Sequence, residues 1–228
     1  MKKISMDLHT HTAASGHATH DTITDLARAA SKAGLLTLGI SDHGPATPLA
    51  CDASYFRGLK LAPKLRYGVK MLYGAELNII SSEGGVDLED SVLRELDYAF
   101  ISFHIPTFTP LTKEGNTDAM IAAMDHPNVR FLGHPDDSRF PLDYERLLNA
   151  AKAHNICPEI NNVSLAPGAY RVNCHENCCT ILKICRKLSL PVLLSSDSHG
   201  SAHVGDVSYA EDLIEGMGFP DELILNRA

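Results

Sequence analysis

Short apolar runs alternate with longer amphipathic stretches along the whole of this chain. Ile4 to Leu8, Leu35 to Ile40, Val69 to Tyr73, Tyr98 to Phe103, Val129 to Leu132, Ile156 to Ile160 and Val192 to Leu194 each have the length and hydrophobicity of one buried strand. Between them lie helical patterns. Ile23, Leu26, Ala27 and Ala30 form one stripe, which Asp21 or Thr22 can cap and Gly34 can end. Leu142 to His154 is amphipathic with Leu147 and Leu148 inward, and Thr117 to Met124 is helical with Thr117 or Asn116 as cap. Leu88 to Leu96, a cysteine-rich segment running on through Ile181, Leu182, Ile184, Cys185 and Leu188, and about Asp206 to Met217 complete the helices. A helix-like piece after Cys51 and Phe56 must bend or end at Pro63. Ser81 to Val86 reads as a small hairpin or loop, and Phe219 to Ala228 as one further apolar turn or short strand.

Strands alternating with helices predict βαβ units and a parallel sheet. The strand ends fall at His9, His43, Glu76, His104, His134, Asn161 and Asp197, at intervals of 27 to 36 residues. That interval is one strand, one helix and two loops. All but Asn161 present a histidine or a carboxylate. A closed barrel brings its C-terminal strand ends to one mouth, whereas an open doubly wound sheet spreads them apart. The expected fold is therefore α/β: one domain over 1–228, a seven-stranded (β/α)7 TIM-like barrel with its site at the C-terminal mouth. An extra hairpin, if there is one, belongs between Glu76 and Val86.

Composition narrows the picture. A chain of 228 residues suffices for one core, and its net charge of −8 argues against a nucleic-acid surface. Met1-Lys2-Lys3 is followed by only a few apolar residues before Asp7, unlike a secretory signal, and no window approaches a membrane span. A cytoplasmic protein with no membrane association is expected. The six cysteines, Cys51, Cys157, Cys174, Cys178, Cys179 and Cys185, form no disulfide framework. Cys174-His175-Glu176-Asn177-Cys178-Cys179 looks like a zinc knuckle but lacks a second ligand pair, so it reads as reduced thiols packed on the barrel.

Twelve histidines are an excess that needs a reason. His9 and His11 follow the first strand two residues apart, so both rings can face one metal ion. Asp197 and His199 repeat the spacing at the last strand. With His17, His43, Glu76, His104 and His134 they make nine candidate metal ligands. Nine are too many for one ion and nearly right for three, if a carboxylate bridges; Glu76, on the third strand, is the best bridge. Asp197 should complete the site that His9 and His11 begin. Imidazole with carboxylate suits zinc first, and manganese or iron at some positions. Asp7 and Asp42 either orient imidazoles through their second nitrogen or are satisfied by backbone. Of the other histidines, His20 reads as a turn residue or a support, His126 as loop surface, His154 and His175 as helix ends, and His203 as a mouth residue that could touch substrate.

The ordered set Asp7-Leu8-His9-Thr10-His11, Ser41-Asp42-His43-Gly44-Pro45, Gly74-Ala75-Glu76-Leu77-Asn78, Phe103-His104, Gly133-His134-Pro135, Glu159-Ile160-Asn161-Asn162 and Ser196-Asp197-Ser198-His199 resembles the PHP family (polymerase and histidinol phosphatase domain). Within it the chain is similar to the YcdX-like phosphatases, from about Ile4 to Asn226. The resemblance implies a distorted (β/α)7 barrel with three metals, usually zinc, and adds His17 firmly to the ligands. It also implies a partition: His9, His11, Glu76 and Asp197 on one ion, His104 and His134 with Glu76 on the second, His17, His43 and His199 on the third. Members of this kind usually continue past Asn226 into a further helix, so packing at the far end of the barrel or a subunit contact is expected to be weaker.

The chemistry expected of such a cluster is hydrolysis of a small phosphomonoester by a metal-activated hydroxide, with Glu76, Asp197 and His199 as catalytic residues. Gly84-Gly85 is no phosphate loop and GxGxxG is absent, which argues against ATP or NAD. Histidinol phosphate is one possible substrate, a metal-loaded binding protein without turnover is the alternative class, and a homo-oligomer is compatible with either. A DNA exonuclease is disfavoured by the lack of a basic track.

Overall fold

The computed structural model describes residues 3–227. Met1, Lys2 and Ala228, which the expected domain includes, lie outside the described residues. Seven strands form one parallel path in chain order: β1 (Met6–Asp7), β2 (Thr37–Ile40), β3 (Val69–Asn78), β4 (Tyr98–Ser102), β5 (Val129–Leu132), β6 (Cys157–Asn161) and β7 (Leu193–Ser195). Around them run α1 (Ile23–Ala33), α2 (Ala53–Gly58), α3 (Asp90–Leu93), α4 (Lys113–Ala123), α5 (Tyr144–His154), α6 (Asn162–Leu165), α7 (Cys174–Leu188) and α8 (Ser208–Gly216). This is a distorted (β/α)7 TIM-like barrel.

The seam between β7 and β1 is closed by two devices. At the mouth, Ser198–His199 pairs in parallel with Thr10–His11. Deeper in, Asn226 spans the seam with its amide: Nδ2 donates to Met6 O at 2.8 Å and to Leu194 O at 2.7 Å, while Oδ1 accepts from Leu194 N at 3.2 Å. One buried side chain thus replaces the ladder that β1 and β7 do not make. The tail also reaches Val192 and Ile4 through isolated bridges from Ile224 and Arg227.

Inside the barrel Leu8, Tyr98, Phe100, Phe131, Cys157 and Leu193 fill the lower interior, separate from the larger core between strands and helices. Tyr98 crosses this space to donate to Leu8 O at 2.7 Å. Gly39 and Gly74 stand where a Cβ would overlap the Tyr98 side chain, so the ring is admitted by the absence of side chains on two neighbouring strands.

Local signals explain most boundaries. α1 carries a capping box, with Asp25 N donating to Thr22 Oγ1 and Thr22 N to Asp25, and Gly34 ends it at φ 80°. α4 begins at Lys113 on a Thr112 cap, four residues before the expected start at Thr117. Asn116 and Thr117 read as caps because they are polar. Within the helix they are buried and bonded, Asn116 Nδ2 to Pro141 O at 3.1 Å and Thr117 Oγ1 to Lys113 O at 2.6 Å. A two-residue strand, Leu65–Arg66, pairs antiparallel with β3 through a Tyr67-Gly68 turn in which both residues have positive φ. Ile79 and Val86 bridge at the site of the suspected hairpin.

Candidate metal centre

Seven imidazoles and two carboxylates gather at the C-terminal mouth, and Glu76 on β3 lies among them, fully buried. Its Oε2 lies 3.3 Å from His9 Nε2, 3.6 Å from His11 Nε2 and 2.8 Å from His43 Nδ1. Its Oε1 lies 3.3 Å from His104 Nε2 and 2.8 Å from His134 Nε2. Asp197, just past β7, sets Oδ1 3.2 Å from His11 Nε2, 3.6 Å from His9 Nε2 and 3.7 Å from His199 Nδ1. His17 is the outermost: its ring stacks on His43 at 5.0 Å and tilts against His199 at 4.9 Å. Three overlapping triads have ligand atoms within 4.8 Å of one another: His9, His11 and Glu76; His43, Glu76 and His104; His11, His43 and His199.

The surrounding hydrogen bonds fix which nitrogens face the centre. His9 Nδ1 donates to Glu159 Oε1 at 2.6 Å, His104 Nδ1 to Asn78 Oδ1 at 2.8 Å, His17 Nδ1 to Ser15 O at 3.1 Å and His199 Nδ1 to Asp197 O at 3.2 Å. Each acceptor can only accept, so each Nδ1 carries the hydrogen. The Asn78 amide is oriented by Asp87, which takes its Nδ2 at 2.6 Å. His11 Nδ1 meets Ser15 Oγ at 3.0 Å, and since that hydroxyl donates to Asp42 at 2.7 Å it must accept from His11. Five imidazoles therefore carry a bare Nε2.

Five buried atoms at the centre lack partners. His9 Nε2, His11 Nε2, His43 Nδ1, His199 Nε2 and Glu76 Oε2 are buried without an acceptable hydrogen bond, although several lie close together. Buried polar atoms left unpaired cost about 1–3 kcal/mol each, so a converging set of them calls for a ligand. Lone pairs of nitrogen and carboxylate oxygen, aimed at shared points, fit divalent metal. Electrostatics agree. Burial opposes the ionisation of Glu76, but His9, His104 and His43 hold it well below the usual carboxylate range. Burial likewise opposes Asp197, which His9 and Arg171 keep ionised. Burial, with His199 and His43 nearby, holds His11 well below the ordinary imidazole value, and burial also lowers His17, His104 and His199. His9 goes the other way: against burial, Glu159, Glu76 and Asp197 raise it. Those carboxylates demand positive charge there, which a proton or a metal cation supplies.

Backbone strain sits at the same place. Asp197 and His134 adopt positive φ, 51° and 27°, a region uncommon for residues other than glycine and found at functional sites. His134 is held there by its N–H, which donates to Glu159 Oε2 at 2.6 Å.

Several residues here were not singled out for these roles by sequence reasoning. Glu159 binds His9 and the His134 backbone and accepts from Ser195. A charged residue within the apolar β6 was the available signal. Arg171 is buried, donating to Asp197 Oδ2 at 2.9 Å, Asn161 Oδ1 at 3.1 Å and Ser164 Oγ at 3.0 Å. It lies in a loop without periodicity and left no pattern to read. Of the two open aspartates, Asp7 is satisfied by Ser196 and backbone N–H groups rather than by an imidazole. Asp42 reaches His11 through Ser15 and also binds Thr12 and Tyr55. His126, expected as loop surface, ties Asp90 to Gly84 O. The six cysteines are unpaired thiols, and none belongs to a ligand triad among the described residues.

The fold and site define a metal-binding (β/α)7 barrel, and comparison with known proteins gives it a family. A model of the PHP domain matches residues 7–158, and the chain belongs to the PHP family. Among its relatives, a probable phosphatase of Clostridium novyi is 39% identical over 98% of this chain and 91% of its own length. One from Thermoanaerobacter is 40% identical over 98% and 91%. A histidinol phosphate phosphatase of Lactococcus lactis, solved with zinc, L-histidinol and phosphate, superposes with a TM-score of 0.64 at 14% identity, covering 95% of this chain and 94% of that one.

Proposed function

We propose that the protein is a metal-dependent phosphatase acting on small phosphomonoesters through a trinuclear site. His9, His11, Glu76 and Asp197 would hold one ion, His104 and His134 with Glu76 a second, and His17, His43 and His199 the third, with zinc as the metal. The observation that carries this reading is the set of inward, unpartnered nitrogens around Glu76 Oε2. Bound there, divalent cations lower the pKa of water and neutralise the phosphoryl oxygens.

The chain's own groups supply the rest. Glu76 offers one oxygen to each half of the cluster and joins them. Asp197 keeps Oδ2 on Arg171 and Asn161, leaving Oδ1 toward His9 and His11, where it would complete the ligands of the ion they hold. Arg171 lines the cleft above the cluster and is immobilised by its bonds, so its positive charge is preorganised for a phosphoryl oxygen. His199, whose Nδ1 hydrogen is committed to Asp197 O and whose basicity burial lowers, presents a neutral Nε2. It serves as a ligand or proton acceptor there.

Residues 1–228 are proposed as a single PHP domain, since Asp197 and His199 lie beyond the matched 7–158 but within the same cluster. No helix among the described residues is long and apolar enough to cross a membrane. The cytoplasm is the proposed compartment, in keeping with six unpaired thiols.

The test is turnover of glycerol phosphate by zinc- or manganese-loaded protein. Activity should be abolished by chelator, restored by metal, and reduced at least about 100-fold in Asp197→Asn with the fold intact. Stoichiometric metal binding without turnover of any phosphomonoester would identify a binding protein instead.

A further inference from the structure

A second cavity, about 480 Å³, opens at the N-terminal end of the barrel, away from the metal centre. Its floor is Leu8, Tyr98, Phe131 and Cys157, buried side chains of the lower barrel interior. The side-chain polar atoms of that floor are spent. Tyr98 Oη donates to Leu8 O at 2.7 Å and the Cys157 thiol to Pro191 O at 3.1 Å. Leu72 and Leu225 extend the apolar lining outward, Leu225 being 42% exposed. A volume of this size is that of a small-molecule site, about 300–1,000 Å³, and such a lining offers water few partners. Phe100 closes the cavity from the chemistry above, its ring packing on Phe131 at 4.8 Å and on His9 at 4.5 Å.

The charges around this cavity are unequal. Asp97 is matched by Lys64 at 2.6 Å. Arg130 and Lys152 form no ion pair among the described residues. Arg130 bonds only Val129 O, and Lys152 spends one of its three hydrogens on Leu188 O at 2.7 Å. The side chains of Asn155 and Ser189, also in the lining, have no hydrogen bond to protein. These two residues end α5 and α7, and their N–H groups cover the carbonyls of Ala151, Lys152, Cys185 and Arg186, which mutes the negative ends of both helices. An apolar interior edged by uncompensated cations and free polar side chains suits an apolar chain that ends in an anion.

We propose that this cavity binds a medium-chain carboxylate, its alkyl chain against Leu8, Tyr98 and Phe131 and its head with Arg130 and Lys152. The site is separate from the metal centre and does not depend on the reaction there. Charge-assisted hydrogen bonds hold the head, while each buried methylene should tighten binding about three- to fourfold.

The experiment is calorimetry of metal-loaded protein with hexanoate, octanoate and decanoate. One saturable site per chain is expected, at least about tenfold tighter for each two added methylenes, with an increasingly negative heat-capacity change. Octan-1-ol, which lacks the charge, should bind at least about tenfold more weakly than octanoate. Arg130→Glu and Leu225→Glu, both at exposed positions, should each weaken octanoate by at least about tenfold. Saturating inorganic phosphate, an anion suited to the metal centre, should leave octanoate binding unchanged. No saturable binding of decanoate, an affinity flat along the series, displacement by phosphate, or full affinity in both variants would each overturn the inference. All four outcomes leave the phosphatase reading standing.

Discussion

Glu159 receives hydrogen bonds from three places in the chain, His9 after β1, the His134 backbone after β5 and Ser195 in β7. It sets the His9 tautomer and pins His134 in its strained conformation. Glu159→Gln keeps the shape but turns one acceptor into an amide donor facing another donor. Metal affinity should fall by about 10- to 100-fold, measured as bound metal at buffered free concentrations, with the fold retained. Unchanged affinity would show that His9 needs no such support. The thiols give a second expectation at this scale. Burial pushes Cys185 up to about 12 and also raises Cys157, Cys174 and Cys178, which suppresses thiolate at neutral pH. Iodoacetamide should therefore label the native protein only at part-exposed Cys51 and Cys179, the other four reacting on unfolding, as peptide mass spectrometry would show. Eight of the nine candidate ligands were legible because each stands at or near a strand end and breaks an apolar run, whereas His17, in the loop beyond, was added by the family resemblance. Arg171, Ser15 and Asn78 were not legible, since their roles depend on what lies across the mouth rather than on any local spacing.

Among the elements, the seam between β1 and β7 is the least conventional part of the barrel. β1 pairs with β2 over only two residues, and Asn226 supplies the bonds a longer strand would make. Asn226→Ala would leave Met6 O and two Leu194 groups without these partners, and should cost roughly 2–3 kcal/mol in urea unfolding. A loss below about 0.5 kcal/mol would mean that the Thr10–His11 pairing with Ser198–His199 closes the barrel alone. Strand order and helix alternation were readable from hydrophobic period. The premature start assigned to the first strand at Ile4 and the late start assigned to α4 share one cause. Apolar run length does not report hydrogen-bond pairing, and polar residues such as Asn116 enter helices when tertiary partners satisfy them.

For the whole molecule, closure of the barrel is what turns scattered histidines into one site. Residues as distant in sequence as His9 and Asp197 come within 3.6 Å only because β7 returns beside β1. The spacing of the strand ends made that closure legible. The cavity at the other end of the barrel was not, because Leu8, Tyr98, Phe131 and Cys157 lie in apolar runs that hide which residues point inward. The central claim is that the inward-facing lone pairs at the mouth hold a cluster of metal ions. Its most direct test is elemental analysis of protein purified without chelator or metal-binding tag. About three divalent ions per chain are predicted, from nine ligands at about four per ion with Glu76 shared. One ion or none, after incubation with both zinc and manganese, would contradict the account.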